Sequence, residues 1–576
     1  MKMTSAVLAA LAATLAFAVL QAPAQVQVPA QTGVRPIPRL VHQDGRFALF
    51  VDDAPYLMLG AQVHNSSSWA AESPKVWPAM EYLHVNTVEM PVYWEQFEPQ
   101  PGQFDYTLVD NLLAEARQHE VHLVLLWFGT WKNGSQHYMP EWMKLDTVRY
   151  PHMLGRDGEA VDSPSPHAAA SLEADKSAFT ALMRHLKEAD PQRTVLMMQV
   201  ENEAGAWGSV RDFSPAAQQL FASPVPPELL RAMSVHPASP SPNWLQAFGP
   251  NADEYFHAWS VARYIGQVAE AGKAVYPLPM YANAALRNPF HPGPAGLPGA
   301  PGAYESGGPT DNVLDIWKAA APALDLLAPD DYENDDASYL KVLDLYHRAD
   351  NALFVPETGG PGKARFLFSA LGLQTIGFSP FGLDYTHRAA SRSLNQADPA
   401  RPPEEFLTPW AMNYRLIGPM QREIARLNFD GKLQAAAEEQ GKPVRTLPFG
   451  AWDAIVSFGA ARNNRAAGNP NPEGRALVAQ LGDNQFLVTG YFCRVDFRPA
   501  GTEAQRKSQH IVEGTQQNPS ALIDGKWQHR QFLRVEEGAF ESGLFKPLRI
   551  WNGDETDWGL DFGEDPIVLR VSLATY

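Results

Sequence analysis

Eight short apolar runs, each followed by a helical or irregular stretch, set the tightest limit on how this chain can fold. They are Tyr56–Asn65, Val85–Trp94, Val121–Gly129, Thr194–Glu203, Pro277–Ala284, Asp325–Tyr332, Ala352–Glu357 and Gln374–Leu383. Runs of this length read as strands buried on both faces. Helical spacing of apolar residues occupies Ser73–His84, Leu108–His119, Ala174–Ala189, Tyr255–Ala274 and Tyr339–Ala349. The first of these opens on Ser73-Pro74, a pair suited to a cap and a first turn. Alternation repeated eight times predicts an α/β fold, a (β/α)8 TIM barrel. The alternative is an open doubly wound sheet. That fold usually announces a nucleotide by a glycine-rich first turn, which the first run here does not have.

The pattern changes near residue 430. Pro409–Asn428 still has helical spacing, but Leu477–Thr489 reads as two strands around a Gly-Asp-Asn turn. Ile567–Leu573 alternates like a further strand. The expected organisation is therefore a catalytic barrel over residues 25–430 and a smaller all-β, sandwich-like domain over 431–576. Three long insertions, Thr130–His167, Ser214–Pro250 and the Pro/Gly-rich Arg287–Pro309, shape a cleft or act as spacer.

Residues 1–24 read as a signal peptide: Lys2, an apolar run Val7–Leu20 broken only by Thr14, and a small-x-small site at Ala22-Pro23-Ala24. The run is short for a membrane span of ~20 residues. Export to a bacterial periplasm or exterior is the expected localisation, with no membrane association after cleavage. The single cysteine, Cys493, excludes an intrachain disulfide. A net charge of −18 repels phosphate backbones, so nucleic acid is not an expected partner.

The fourth run ends Gln199-Val-Glu201-Asn202-Glu203-Ala-Gly205, and the seventh ends Val355-Pro-Glu357 before a glycine-rich turn. An unpaired carboxylate inside a core costs several kcal/mol. Acids at the mouths of buried strands therefore mark either a solvated junction or a site. Strand alternation points Glu201 and Glu203 the same way and Asn202 the other, unless the strand ends there. Barrels keep their chemistry at the carboxyl ends of the strands. One strand-end acid can protonate a leaving group while the other attacks or activates water.

A third stretch, Asn86-Thr-Val-Glu89 through Trp94 and Glu98-Pro99-Gln-Pro-Gly102-Gln-Phe104-Asp105, joins those two. Together they resemble glycoside hydrolase family 35, the β-galactosidases. The resemblance implies a retaining exo-β-galactosidase acting on carbohydrate, with Glu203 as acid/base, Glu357 as nucleophile and Asn202 on the sugar 2-hydroxyl. In the wider clan a sixth-strand tyrosine often bonds the nucleophile, and Tyr332 holds that place. The Cys-Ala-Glu segment of many family members is replaced by Trp127-Phe-Gly-Thr-Trp-Lys-Asn133, so its sugar contacts do not carry over. His64, Glu89 and Asn133 are candidate sugar contacts by strand-end position only; a scaffolding role is equally open to each. No metal and no cofactor is called for, since the chain has no His-Glu-x-x-His, no paired-cysteine motif and no phosphate-cradling loop. Another retaining β-glycosidase, such as a β-glucosidase or endo-glucanase, and a non-catalytic sugar-binding barrel are the alternatives. The oligomeric state is not legible.

Overall fold

The eight runs form eight parallel strands: β1 (Met58–Gln62), β2 (Thr87–Tyr93), β3 (His122–Lys132), β4 (Val195–Asn202), β5 (Met280–Ala285), β6 (Leu326–Asp331), β7 (Glu357–Thr358) and β8 (Gly377–Phe378). In this computed structural model, residues 35–236, 239–386, 403–459, 472–500 and most of 532–574 are described, with three short strands between the last two. The expected signal peptide lies outside the described residues.

The strands pair in chain order, β8 pairs with β1, and a bridge between Val355 and Phe378 completes the ring. Helices follow each strand: α1 (Ser73–Leu83), α2 (Thr107–Gln118), α3 (Ala169–Ala189), α4 (Ala252–Val275), α5 (Leu314–Ala320), α6 (Asp336–Tyr346), α7 (Phe366–Gly372) and α8 (Pro403–Ile417). Pro74 lies in the first turn of α1, but Ser73 does not cap it; its hydroxyl donates to Glu115 Oε1 at 2.7 Å.

Residue alternation sorts the two faces of the ring. Val124, Leu126, Met197, Tyr281, Ala328 and Phe354 fill the lumen, whereas Leu123, Leu125, Met198, Ala282 and Leu327 pack under the helices. An antiparallel sheet, Arg39–Gln43, Arg46–Val51 and Ala54–Tyr56, brings Leu49, Val51 and Tyr56 into the lumen cluster. With that end filled by apolar side chains, polar groups are left to the carboxyl mouth.

Two antiparallel sheets follow α9 (Gln421–Phe429). The six-stranded one runs in the order Leu433–Ala437, Arg475–Gly482, Gln485–Tyr491, Val568–Leu573, Phe532–Glu541, Leu544–Trp551. The four-stranded one runs Val444–Phe449, Trp452–Phe458, Cys493–Pro499, Leu560–Phe562. Along Arg475–Gly482, Ala476 and Val478 face the sandwich core, while Leu477 and Ala479 join the cluster of the barrel helices. The sandwich also bonds the barrel's last helix and the turn after β7: Arg475 Nε donates to Asn413 of α8 at 2.6 Å, and Arg365 Nε donates to the Glu438 carbonyl at 3.0 Å.

Candidate active site

Alternation fails where β4 ends. Glu201 and Glu203 both have left-handed backbone, φ +64° and +43°, a region non-glycine residues visit at a cost of about 1–2 kcal/mol. The result is that the two acids, expected on one face, lie on opposite sides of the ring. Glu201 turns outward against α3, where its Oε2 accepts the Trp131 amide at 2.7 Å and its carboxyl bonds Asp175. A hydrogen bond between two carboxyl groups requires a proton between them. Burial raises both groups, and Glu201 is pushed well above the ordinary carboxyl range by burial and then by the neighbouring Asp175 charge. Asp175 is fixed in turn by Trp127 Nε1 at 2.9 Å and the Thr130 hydroxyl at 2.7 Å. Gly129 is required beside this pair: a Cβ there would lie 2.7 Å from Glu201 Oε1 and 2.3 Å from Trp127 Nε1.

Glu203 turns into the mouth and meets β7. One oxygen each of Glu203, Asp330 and Glu357 lies within 4.8 Å of the other two. Glu203 is 8% exposed and Glu357 6%, against 1% for Glu201, so only the first pair is reachable from the mouth. Both oxygens of Glu357 are occupied by donors. Tyr332 Oη donates to Oε1 at 2.7 Å and Gln62 Nε2 to Oε2 at 2.9 Å. Burial, and then the Glu357 charge, push Glu203 up to about 7, with Lys132 and a hydrogen bond to Asp330 acting against them. An acid raised in this way can hold a proton close to neutral pH, as a proton donor requires.

Asn202 is held by Lys132, whose Nζ donates to Oδ1 at 2.7 Å, and its buried Nδ2 has no partner among the described residues. Asn283 of β5 binds the Glu203 amide through Oδ1 at 3.0 Å and donates from Nδ2 to Asp330 at 2.6 Å. Below this layer Glu89 accepts the Tyr281 hydroxyl at 3.0 Å, and burial pushes its carboxyl up to about 8. Gln199 faces the same space, with neither amide atom partnered. Unpartnered donors and acceptors around a reachable acid pair are what a polyhydroxylated ligand would satisfy.

The remaining expected contacts divide. His64 bonds Asp384 through Nδ1 at 2.9 Å and through its amide at 2.8 Å. Burial works to raise Asp384, but those bonds and the histidine hold it down at about 2. Asn133 does not join the cluster: its side chain is exposed, and its amide donates to the Asn202 carbonyl at 3.2 Å. Its left-handed turn, φ +52°, carries the side chain off the strand face. Lys132, its neighbour, makes the inward contact instead. Sequence reasoning also missed Gln62, Asp330, Asn283 and Glu305. Glu305 comes from the Pro/Gly-rich Arg287–Pro309 insertion, is buried, and is pushed well up by burial and by Glu203. A Cβ on Gly134 would meet it at 1.7 Å. Gln62, Asn283 and Asp330 end strands already recognised, so strand-end position was the signal that could have found them. The Glu203–Asp330–Glu357 group is the set of described side chains that converge closely enough to hold a cation.

Known proteins resemble this chain in part. A family model described as beta-galactosidase, that of glycoside hydrolase family 42, matches residues 65–271. The model that matches is that of family 42 and not the family 35 that the motifs suggested. A model described as a domain of unknown function, DUF5597, matches residues 410–563, which begins within α8 and takes in most of the sandwich. Comparison with curated proteins gave no match. Among solved structures, a β-galactosidase from Bacillus circulans sp. alkalophilus is 14% identical, with 64% of this chain and 57% of that chain covered and a TM-score of 0.45. A β-galactosidase from the psychrophilic Marinomonas ef1 is 12% identical, covering 66% and 62%, with a TM-score of 0.43. An exo-β-1,4-mannosidase from Opitutaceae bacterium strain TAV5 is 15% identical, covering 59% and 54%, with a TM-score of 0.35. The chain thus spans less than two thirds of the length of each.

Proposed function

We propose that the protein is a retaining exo-β-galactosidase that removes terminal β-D-galactosyl residues from oligosaccharides or polysaccharide side chains. The observation that carries this reading is the approach of Glu203 and Glu357 oxygens to within 4.8 Å at the mouth of the barrel. Retaining enzymes hold their carboxyls about 5–5.5 Å apart, and inverting ones about 6.5–9.5 Å to admit a water. The partial match to a family model described as beta-galactosidase supports the sugar.

Glu357, held by hydrogen bonds from Tyr332 and Gln62, attacks the anomeric carbon. Glu203, kept protonated by burial, gives its proton to the departing oxygen. Water then enters, Glu203 takes its proton, and the ester to Glu357 breaks. The unpartnered Asn202 Nδ2 is placed to bond a sugar hydroxyl, and such a bond strengthens as charge develops at the ring. We also infer export, from the apolar segment and small-x-small site of residues 1–24.

A panel of para-nitrophenyl sugars tests the reading. Release from the β-galactoside, with free galactose from oligosaccharides, is the expected result. Release of glucose in preference to galactose would assign the barrel to another β-glycosidase, and binding without turnover would remove the enzyme reading altogether.

A further inference from the structure

Double displacement at an anomeric carbon needs two carboxyl groups, and this pocket brings three together. Asp330 is the penultimate residue of β6, in register with Glu357, and is 2% exposed. Its Oδ2 is taken by Asn283 Nδ2 at 2.6 Å, and Asn283 Oδ1 holds the Glu203 amide at 3.0 Å. One amide side chain therefore ties the backbone of the acid to the side chain of Asp330. The other Asp330 oxygen receives no N–H or hydroxyl donor among the described residues. An oxygen of Asp330 and one of Glu203 lie within 4.8 Å of each other. Two ionised carboxylates repel at this range, and one proton held between them relieves that repulsion.

We propose that Asp330 and Glu203 share one proton, and that Asp330 is the positioning residue that loads and aims the acid. This inference rests on the glycosidase reading above. The groups facing the pair are Glu357 on β7, Lys132 at the end of β3, Asn283 and Tyr281 on β5, Glu305 on the following insertion, Tyr332, and Tyr346 on α6. Before the first step the three carboxyls carry one shared proton and two negative charges. Glu203 passes the proton to the departing oxygen while Glu357 spends its charge in the new bond to carbon. Two charges remain, now on Asp330 and Glu203. Their repulsion strengthens Glu203 as a base. Water then delivers a proton back to the pair as its oxygen bonds the anomeric carbon, and Glu357 leaves with its charge restored. The pocket keeps the same charge beside Lys132 throughout the cycle.

Asp330→Asn tests this, since it keeps the bond to Asn283 and cannot hold the proton. The alkaline limb of kcat/KM should shift by about one pH unit, because the proton is no longer shared. Asp330→Ala should lower kcat on alkyl galactosides by about 10–100-fold. It should leave the bond-breaking step on dinitrophenyl galactosides nearly unchanged, because that leaving group needs no proton. In a Glu203→Ala background neither Asp330 change should add a further loss. Infrared difference spectra of the resting enzyme, wild type minus Asp330→Asn, should show a protonated carboxyl band near neutral pH. An unmoved alkaline limb, or no carboxyl band in that difference, would overturn the shared proton. Absence of turnover in the wild type would instead remove the glycosidase reading, and the infrared result would still decide the proton. Should Asp330→Ala fail to fold, the near-isosteric Asp330→Asn carries the test alone.

Discussion

Glu201 and Glu203 are two residues apart and belong to the same strand end, yet they face different problems. Glu201 lies behind the ring, 1% exposed, closed in by Asp175, Trp131 and Thr130. Glu203 lies in the mouth, 8% exposed, across from Glu357 and beside Asp330. Each is pushed toward its protonated form, in the first place by burial. The same physical cause serves different ends. Behind the ring Glu201 holds the Trp131 amide where the chain turns Glu203 inward; in the mouth the raised acid is reachable from outside. A perturbed carboxyl is therefore a guide to function only when access is considered with it.

The sharpest way to break this contrast is to remove each acid. Glu357→Ala and Glu203→Ala should each lose about 10⁴-fold in kcat on an unactivated galactoside, with thermal melting unchanged. Azide should restore turnover to Glu357→Ala with an inverted-anomer product. Wild-type activity in either variant would show that the mouth pair is structural like the outer one.

Glu201→Ala should instead act on stability. It strips Asp175 of its partner in a dry site, at a cost of about 3 kcal/mol in denaturant unfolding. Glu201→Gln, which still offers a donor, should cost less than half of that. Loss of activity at full stability in Glu201→Ala would erase the distinction drawn above.

Tyr332→Phe and Gln62→Leu probe the mouth alone. Each removes one donor from Glu357, and each should cost about 10-fold in kcat, with thermal stability unaffected beyond about 1 kcal/mol.

The smallest expected effect is in pH dependence. Glu203 at about 7 and Glu89 at about 8 both lie above the ordinary carboxyl value of 4.5. Between 4.5 and those values the folded chain binds more protons than the unfolded one, so these groups make stability fall as pH rises. Buried histidines held low, such as His257 at about 3, act oppositely, but only up to 6.5. Melting temperature should therefore decline between about pH 6.5 and 8, and kcat/KM should fall above about 7 as Glu203 loses its proton. In Glu203→Gln that fall in melting temperature should be shallower. A melting curve flat across this window would argue that Glu203 and Glu89 are solvated.

Some of this was written in the chain before it folded. Apolar runs of strand length separated by helical spacing admit few solutions other than a closed ring, because each strand has to be covered on both faces. The acids at the ends of the fourth and seventh runs could be read for the same reason: charge at the mouth of a buried strand has to be accounted for. What could not be read was which way each acid points. Glu201 and Glu203 share a strand face only while the backbone stays extended, and two left-handed residues undo that. Their conformation is set by contacts distant along the chain: Asp175 and the Trp131 amide on one side, Asn283 on the other. Gln62 and Asp330 were equally hidden. Each looks like an ordinary polar strand end until closure of the ring sets it against Glu357 or Glu203. Local pattern determined that eight strands would close and that carboxylates would stand at the mouth. Tertiary structure alone decided which carboxylates meet, because that depends on close contacts among side chains from five different strands, and no single segment contains them.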